Sequence, residues 1–255
     1  MLKFIKKIGL FFVSLYVWTV LFDMAFIILI TGIVLLFVSN ARVVFKVVSA
    51  MLRFMFKILF VKVEVEYPKD FNFNQSYVIM PNHITFWDIP VICSVLPNFT
   101  FGIEAESHFS WPIYGFFIKK YGTLPINRKN MLASFRTFET AAKNMKEKNA
   151  SLLVFPEGHR SDDGKIQEFK KIPFKMAQIV KVPILPCGTS GLGALAPKGF
   201  FVTPGRVKVK YGEPVPVSDY ENLRPEVAAK MVRDMVIALS EDDIVPDSEK
   251  IAQKS

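Results

Sequence analysis

The sequence predicts an α/β domain with a mixed, largely parallel sheet flanked by helices, preceded by a membrane-embedded helical hairpin and a basic amphipathic helix. Three observations lead to this fold class. Short apolar segments alternate with helical patterns after residue 64, the first 63 residues are unusually apolar and basic, and polar loops follow the ends of two apolar segments. Alternating strands and helices are typical of parallel sheets, in which sites lie at the carboxyl ends of the strands.

The first element is an apolar run at residues 8–38, in which Asp23 is the single charged residue. The run is too long for a secretory signal, and as one helix it would measure roughly 46 Å against a hydrocarbon layer of roughly 30 Å. Basic residues flank both of its ends, and such residues prefer the cytoplasmic face. We therefore expect a hairpin with Asp23 near its tip and Gly32 in the returning arm. A single tilted transmembrane helix is the alternative.

The second element is an amphipathic helix at residues 41–63. Its polar side chains fall on one narrow face at helical spacing: Arg42, Lys46, Ser49, Arg53 and Lys57. A polar face made almost entirely of basic residues favours a helix that lies against anionic lipid. A core-packing helix with a solvated stripe is the alternative.

Composition and charge narrow the function classes. The chain has 255 residues, 51% apolar and 22% charged, which is enough for a sizeable core and excludes disorder for most of its length. Of the formal net charge of +9, +7 lies in residues 1–62, beside the most apolar segment. This distribution is typical of a membrane-surface protein and argues against nucleic acid as a partner. Cys93 and Cys187 have no metal-ligand spacing and are expected as buried free thiols.

The remaining elements belong to one domain, residues 64–241, followed by a frayed tail at 242–255. We predict strands at 77–80, 100–103, 122–126, 152–155, 184–188 and 207–211. We predict helices between most of them, at 88–96, 112–119, 131–148, 169–180 and 225–239.

The loop after the first of these strands carries the sequence Asn-His-Ile-Thr-Phe-Trp-Asp, residues 82–88. His83 lies on the loop, and Asp88 precedes an apolar run as a helix N-cap would. A carboxylate that accepts a bond from one imidazole nitrogen fixes the tautomer, so that the other nitrogen can take a proton from a hydroxyl. Taken alone the pair also fits an unrelated loop histidine and a capping aspartate. A second polar loop at residues 157–161 and a third at Asn127 and Arg128 strengthen the functional interpretation.

Four blocks, residues 82–88, 122–128, 155–161 and 182–186, together resemble the ordered motifs of the glycerolipid acyltransferases. The short length is similar to the 1-acylglycerol-3-phosphate (lysophosphatidic acid) acyltransferase branch. The resemblance implies that His83 and Asp88 are catalytic. It implies substrate binding for a further set: Arg128, Glu157, Gly158 and Arg160. The chain departs from the family pattern at His159, where threonine is usual, and at Glu104, which replaces a frequent lysine.

The resemblance further implies the reaction. An acyl thioester, of coenzyme A or of acyl carrier protein, would acylate the sn-2 hydroxyl of lysophosphatidic acid and give phosphatidic acid for phospholipid biosynthesis. We expect no covalent acyl-enzyme and no tightly bound cofactor. We also expect no metal, because Asp162 and Asp163 precede Gly164 as in an ordinary turn. The expected location is the cell membrane, with the catalytic domain on its cytoplasmic face.

Alternatives remain open at this stage. The acceptor is also consistent with glycerol-3-phosphate or another lysophospholipid, because the base would treat any similarly placed hydroxyl alike. A serine hydrolase around Ser190 lacks the glycine that the nucleophile elbow requires at Leu192. A non-catalytic lipid-binding protein would need only the N-terminal segment.

Overall fold

The structure of the protein, a computed structural model, describes residues 2–127, 131–161, 164–195 and 200–241. Within these residues, seven strands form one sheet in the order β1-β7-β6-β2-β5-β3-β4. The strands are β1 Lys62–Glu66, β2 Val78–Pro81, β3 Thr100–Ala105, β4 Leu124–Ile126, β5 Ser151–Leu153, β6 Ile184–Ser190 and β7 Arg206–Tyr211. Neighbours pair in parallel except β6 and β7. The predicted mixed, largely parallel sheet with flanking helices is confirmed, and all six expected strands are present.

The helices of the described residues are α1 Leu2–Val38, α2 Ala41–Ile58, α3 Asp88–Ser94, α4 Tyr114–Tyr121, α5 Met131–Lys148, α6 Lys171–Val180, α7 Leu192–Leu195, α8 Val217–Tyr220 and α9 Pro225–Glu241. A 3₁₀ helix, Glu106–Ser110, precedes α4. The five helices predicted after residue 64 are α3, α4, α5, α6 and α9, of which α5 has both predicted ends and the other four differ at one or both ends. The predicted tail at 242–255 lies outside the described residues.

The core lies on both faces of the sheet. Side chains alternate between faces along a strand, so Ile79 and Val78 of β2 belong to different apolar clusters. Ile79 packs with side chains of α1, α2 and α3. Val78 packs with side chains of α5, α6 and α9. The N-terminal helices therefore cover one face of the same sheet whose strand ends carry the polar loops.

The hairpin expected within residues 8–38 is corrected, because these residues form a single helix and the chain reverses only at Ser39 and Asn40. The run contains no proline, and Gly32 makes no turn. A Cβ at Gly32 would lie 2.7 Å from the ring of Phe117, so this glycine permits close packing against α4. By length and hydropathy, residues 5–38 are sufficient to cross a membrane, and most of this helix is exposed.

The amphipathic helix α2 ends at Ile58, five residues before its predicted end, because Lys62 and Val63 belong to β1. Two arginines of its basic face bind backbone carbonyls of the protein, which was not expected. The guanidinium of Arg42 donates to the carbonyls of Lys148 and Asn149, and that of Arg53 donates to the carbonyl of Ser94 at 2.8 Å. Both arginines thus bind the carboxyl ends of other helices, where cations are favourable.

The two lysines of that face, Lys46 and Lys57, are exposed. Arg42 and Arg53 are exposed as well, so the basic stripe lies on the surface even though its two arginines bind backbone carbonyls. Ser49, the uncharged member of the stripe, is buried and donates its hydroxyl to the carbonyl of Cys93 at 2.8 Å. The apolar side of α2 packs into the core through residues such as Leu52 and Met55, and the lipid-facing role of its exposed basic stripe stays a prediction.

Candidate active site

The His83 and Asp88 side chains meet at the carboxyl end of β2. His83 Nδ1 lies 2.6 Å from Asp88 Oδ2, and the same oxygen accepts bonds from the backbone N–H groups of Ile84 at 2.6 Å and Thr85 at 2.9 Å. Asp88 is the first residue of α3 rather than its N-cap, and its carboxylate turns back over the loop. The short loop between β2 and α3 is therefore folded around this one carboxylate oxygen.

Burial separates the roles of the two side chains. Asp88 is completely buried, and this burial raises the pKa of its carboxyl although the bonds from His83, Thr85 and Ile84 act in the opposite direction. The His83 side chain remains 13% exposed, and its ring stacks on Phe155 at 4.1 Å between centroids. Because Nδ1 is held by Asp88, Nε2 is left to exchange a proton with a bound molecule.

Glu157 lies in the loop after β5, the strand that pairs with β2. Its side chain is fully buried. One carboxylate oxygen accepts a 2.6 Å bond from the backbone N–H of His83, and the other accepts a 2.8 Å bond from the backbone N–H of Gln167. Burial raises the pKa of the Glu157 carboxyl, against the lowering effect of these two donors. Both oxygens face the backbone, so Glu157 clamps the two loops together.

The other residues of this loop surround the clamp. Gly158 has a φ of +77°, a conformation that side-chain-bearing residues rarely adopt. Arg160 is exposed, and the backbone N–H of Ser161, the next residue, donates to the carbonyl of His83 at 2.8 Å. The segment that carries Arg160 is thus hydrogen-bonded to the histidine loop, backbone to backbone.

Arg128, the second predicted phosphate ligand, lies outside the described residues. Its neighbour Asn127 follows β4, whose carboxyl end lies at the same sheet edge as those of β2 and β5. The Asn127 amide donates to Glu106 at 2.8 Å, which joins the loops after β4 and β3. The three polar loops of the sequence analysis therefore share one edge of the sheet.

Sequence reasoning missed the part played by Asn82. Its side chain is completely buried. The Oδ1 atom accepts bonds from the backbone N–H and the hydroxyl of Thr189, and Nδ2 donates to the Thr189 carbonyl at 3.1 Å. Asn82 thereby fixes the histidine loop to β6. A polar residue directly after the proline of a buried strand was the signal for it.

An apolar cavity of about 670 Å³ opens beside the pair. It lies between the sheet and the helices α1, α2, α3 and α4, and its wall includes Phe155, the ring that stacks on His83. Cavities of this size and character are typical of sites for apolar ligands. The His83–Asp88 pair and a large apolar cavity are thus adjacent.

In the part of the chain that is described, three or more His, Cys, Asp or Glu side chains do not assemble into a group that could hold a metal ion. Asp162 and Asp163, the turn considered as a metal loop, lie outside it. Cys93 and Cys187 are free thiols, and burial raises the pKa of Cys93 to about 12.

Known proteins resemble the chain in sequence and in structure. The family model described as Acyltransferase matches residues 62–190. A protein named 1-acyl-sn-glycerol-3-phosphate acyltransferase from Cocos nucifera is 28% identical over 69% of this chain and 56% of its own length. The chloroplastic protein of that name from Arabidopsis thaliana is 31% identical, over 62% of this chain and 44% of its own length. The matched segment thus spans about half the length of these relatives.

The crystal structure of the 1-acyl-sn-glycerophosphate acyltransferase PlsC from Thermotoga maritima superimposes with a TM-score of 0.71 at 26% identity. The match covers 94% of this chain and all of that one. The similarity therefore includes the N-terminal helices as well as the sheet.

Proposed function

The chain belongs to the acyltransferase family whose model matches residues 62–190, and from this membership we propose that it is a 1-acylglycerol-3-phosphate O-acyltransferase. It transfers an acyl group from an acyl thioester to the sn-2 hydroxyl of lysophosphatidic acid. One observation carries the proposal: His83 is hydrogen-bonded to the buried Asp88 and lies beside a cavity for a hydrocarbon chain.

The proposed mechanism begins with the proton of the acceptor hydroxyl. His83 Nε2 takes this proton, while the Nδ1–H donates to the Asp88 carboxylate and the imidazolium is stabilised. The alkoxide oxygen attacks the thioester carbonyl carbon, the carbon–sulfur bond breaks, and the thiolate accepts the proton from His83. The acyl group passes directly to the acceptor, without a covalent acyl-enzyme.

The proposed binding roles follow the loops at the sheet edge. Arg128 and Arg160 bind the phosphate, because a planar guanidinium offers two parallel donors to it. The positive φ of Gly158 lets the chain turn directly before His159 and Arg160. We assign Glu157 the support of this loop through its bonds to backbone N–H groups.

The cavity beside His83 takes an acyl chain of the thioester, supplied by coenzyme A or by acyl carrier protein as a co-substrate. We propose that residues 1–63 anchor the protein to the phospholipid bilayer and that residues 64–241 form the acyltransferase domain. The exposed apolar surface of α1 supports this division, since such a surface is costly in water. The basic residues that follow the run, among them Arg42 and Lys46, lie on the side of the acyltransferase domain and favour the cytoplasmic face for it.

The test is an acyl-transfer assay with the purified full chain, labelled lysophosphatidic acid and both kinds of thioester. We expect phosphatidic acid as product, and losses of about 10² to 10⁴-fold in kcat for His83→Ala. Asp88→Ala should also reduce kcat strongly, while His159→Ala, an exposed histidine of the neighbouring loop, is the matched control. Turnover within tenfold of the wild type in both His83→Ala and Asp88→Ala would contradict the proposal.

A further inference from the structure

One carboxylate lies in the wall of the otherwise apolar cavity. Glu104, in β3, is the one charged side chain among the described residues that line it. Glu104 Oε1 accepts a 2.8 Å bond from the Tyr114 hydroxyl, and Oε2 lies 2.9 Å from His108 Nδ1. The side chain is 21% exposed. A carboxylate in this place is unfavourable for a plain hydrocarbon, because the chain removes water from it and offers no hydrogen bond in return.

Glu104 and Phe155 both line the cavity, just beyond the last paired residues of β3 and β5. Gly102 of β3 pairs with Leu153 of β5, and Glu104 and Phe155 each lie two residues further along. Neighbouring strands are about 5 Å apart. Phe155 stacks directly on the His83 ring, with 4.1 Å between the centroids. The carboxylate is therefore close to the reacting end of a bound acyl chain rather than to its tail.

We propose that Glu104 is a specificity-determining residue that selects acyl donors with a hydroxyl group near the thioester, namely 3-hydroxyacyl thioesters. This inference rests on the proposed acyl transfer. Each carboxylate oxygen can accept a second hydrogen bond beside the one from Tyr114 or His108. A hydroxyl on the chain donates that bond and replaces the water that an unsubstituted chain only removes.

The hydrogen-bonding partners keep the carboxylate directed for this role. Burial and the neighbouring Glu104 raise the pKa of Tyr114, so its hydroxyl remains a donor throughout the neutral range. His108 is held in turn by a tilted ring contact with Trp111, at 4.6 Å between ring centroids. Glu104 is thus approached from two sides by side chains and keeps its remaining acceptor positions for the cavity.

The test compares 3-hydroxymyristoyl and myristoyl thioesters as donors, with lysophosphatidic acid as acceptor. In the wild type we expect kcat/KM to favour the hydroxylated donor by about 10-fold to 100-fold, the range expected for one hydrogen bond to a charged group. Glu104→Leu should abolish this preference and raise kcat/KM for the myristoyl donor. Glu104→Gln, which retains an oxygen acceptor of nearly the same size, should keep part of it.

Glu106→Gln is the matched control, because it removes the same charge from a carboxylate that does not line the cavity. We expect its donor ratio to equal that of the wild type. A wild-type ratio near one, or an equal ratio in wild type and Glu104→Leu, overturns the inference while leaving acyl transfer intact. Absence of product from both donors in the wild type overturns the proposed function instead. If Glu104→Leu does not fold, Glu104→Gln carries the comparison.

Discussion

The role of Glu157 is open to a direct experiment, because a clamp and a substrate ligand respond differently to substitution. Both carboxylate oxygens accept bonds from backbone N–H groups, at 2.6 and 2.8 Å, and the side chain is fully buried. Hydrogen bonds to charged groups contribute about 1.5–3 kcal/mol each. Glu157→Ala removes two of them and should lower the free energy of unfolding by about 3–6 kcal/mol. Glu157→Gln keeps one acceptor oxygen and should lose about half of that.

The kinetic consequence follows from the bond to the backbone of His83. Loss of this bond frees the histidine loop, and a displacement of about 1 Å at a reacting group costs about 10²-fold in rate. We therefore expect Glu157→Gln to lower kcat while the KM for lysophosphatidic acid changes little. Arg160→Ala, in the same loop but exposed, should instead raise this KM and leave the free energy of unfolding unchanged.

The assay pairs steady-state kinetics with denaturant unfolding of the same detergent-solubilised samples. A rise in the KM for the acceptor in Glu157→Gln, with unchanged kcat and unchanged unfolding free energy, would refute the clamp. It would assign Glu157 to the substrate, as the family resemblance alone implies.

Three further predictions concern stability. Asn82→Ala removes all three bonds to Thr189 and should lower the free energy of unfolding by about 2–4 kcal/mol, measured by denaturant titration. Arg42→Ala removes bonds to two backbone carbonyls and should lower the thermal midpoint, whereas Lys46→Ala, exposed on the same helix, should shift the unfolding free energy by less than about 0.5 kcal/mol. Burial raises the pKa of Glu157 above its ordinary 4.5, so the folded state binds this proton more tightly than the unfolded state does. The free energy of unfolding therefore falls as the pH rises through the raised pKa. Unfolding titrations across pH 4–8 should therefore show the stability of Glu157→Gln increasing relative to the wild type as the pH rises, and a pH-independent difference would contradict the shift.

The parts of the fold that depend on local pattern could be predicted from the sequence. Short apolar segments between helical patterns predicted six strands, and helical periodicity placed α5 at Met131–Lys148 with both ends correct. The missed strand β1 pairs in parallel with β7, 144 residues further along the chain, and follows shortly after an amphipathic helix. Its own sequence, Lys-Val-Glu-Val-Glu, alternates polar and apolar residues as a half-buried strand does, and this local signal was overlooked. The helical pattern before it was therefore extended too far.

The N-terminal run shows the same limit. Its length against the bilayer suggested a reversal near Asp23, yet one charge does not interrupt a helix whose backbone bonds are all local. The chain turns at Asn40, whose side chain accepts bonds from the N–H groups of Arg42 and Val43 and begins α2. That N-cap signal is local and could have been found. The packing of Gly32 on Phe117 depends on the tertiary fold and could not.

The candidate site divides in a similar way between what is near in sequence and what is distant. His83 and Asp88 are five residues apart, so a turn suffices to bring them together and the spacing alone suggests the pair. The bonds that hold this turn in place come from elsewhere: Glu157 lies 74 residues away and Thr189 lies 106 residues beyond His83. Adjacent parallel strands bring these residues to one sheet edge, which explains why carboxylate and amide side chains follow β2 and β5 and why their partners are backbone groups. A base that must hold one tautomer in a precise direction needs such rigid support, since a loop with unpaired N–H groups would be free to move.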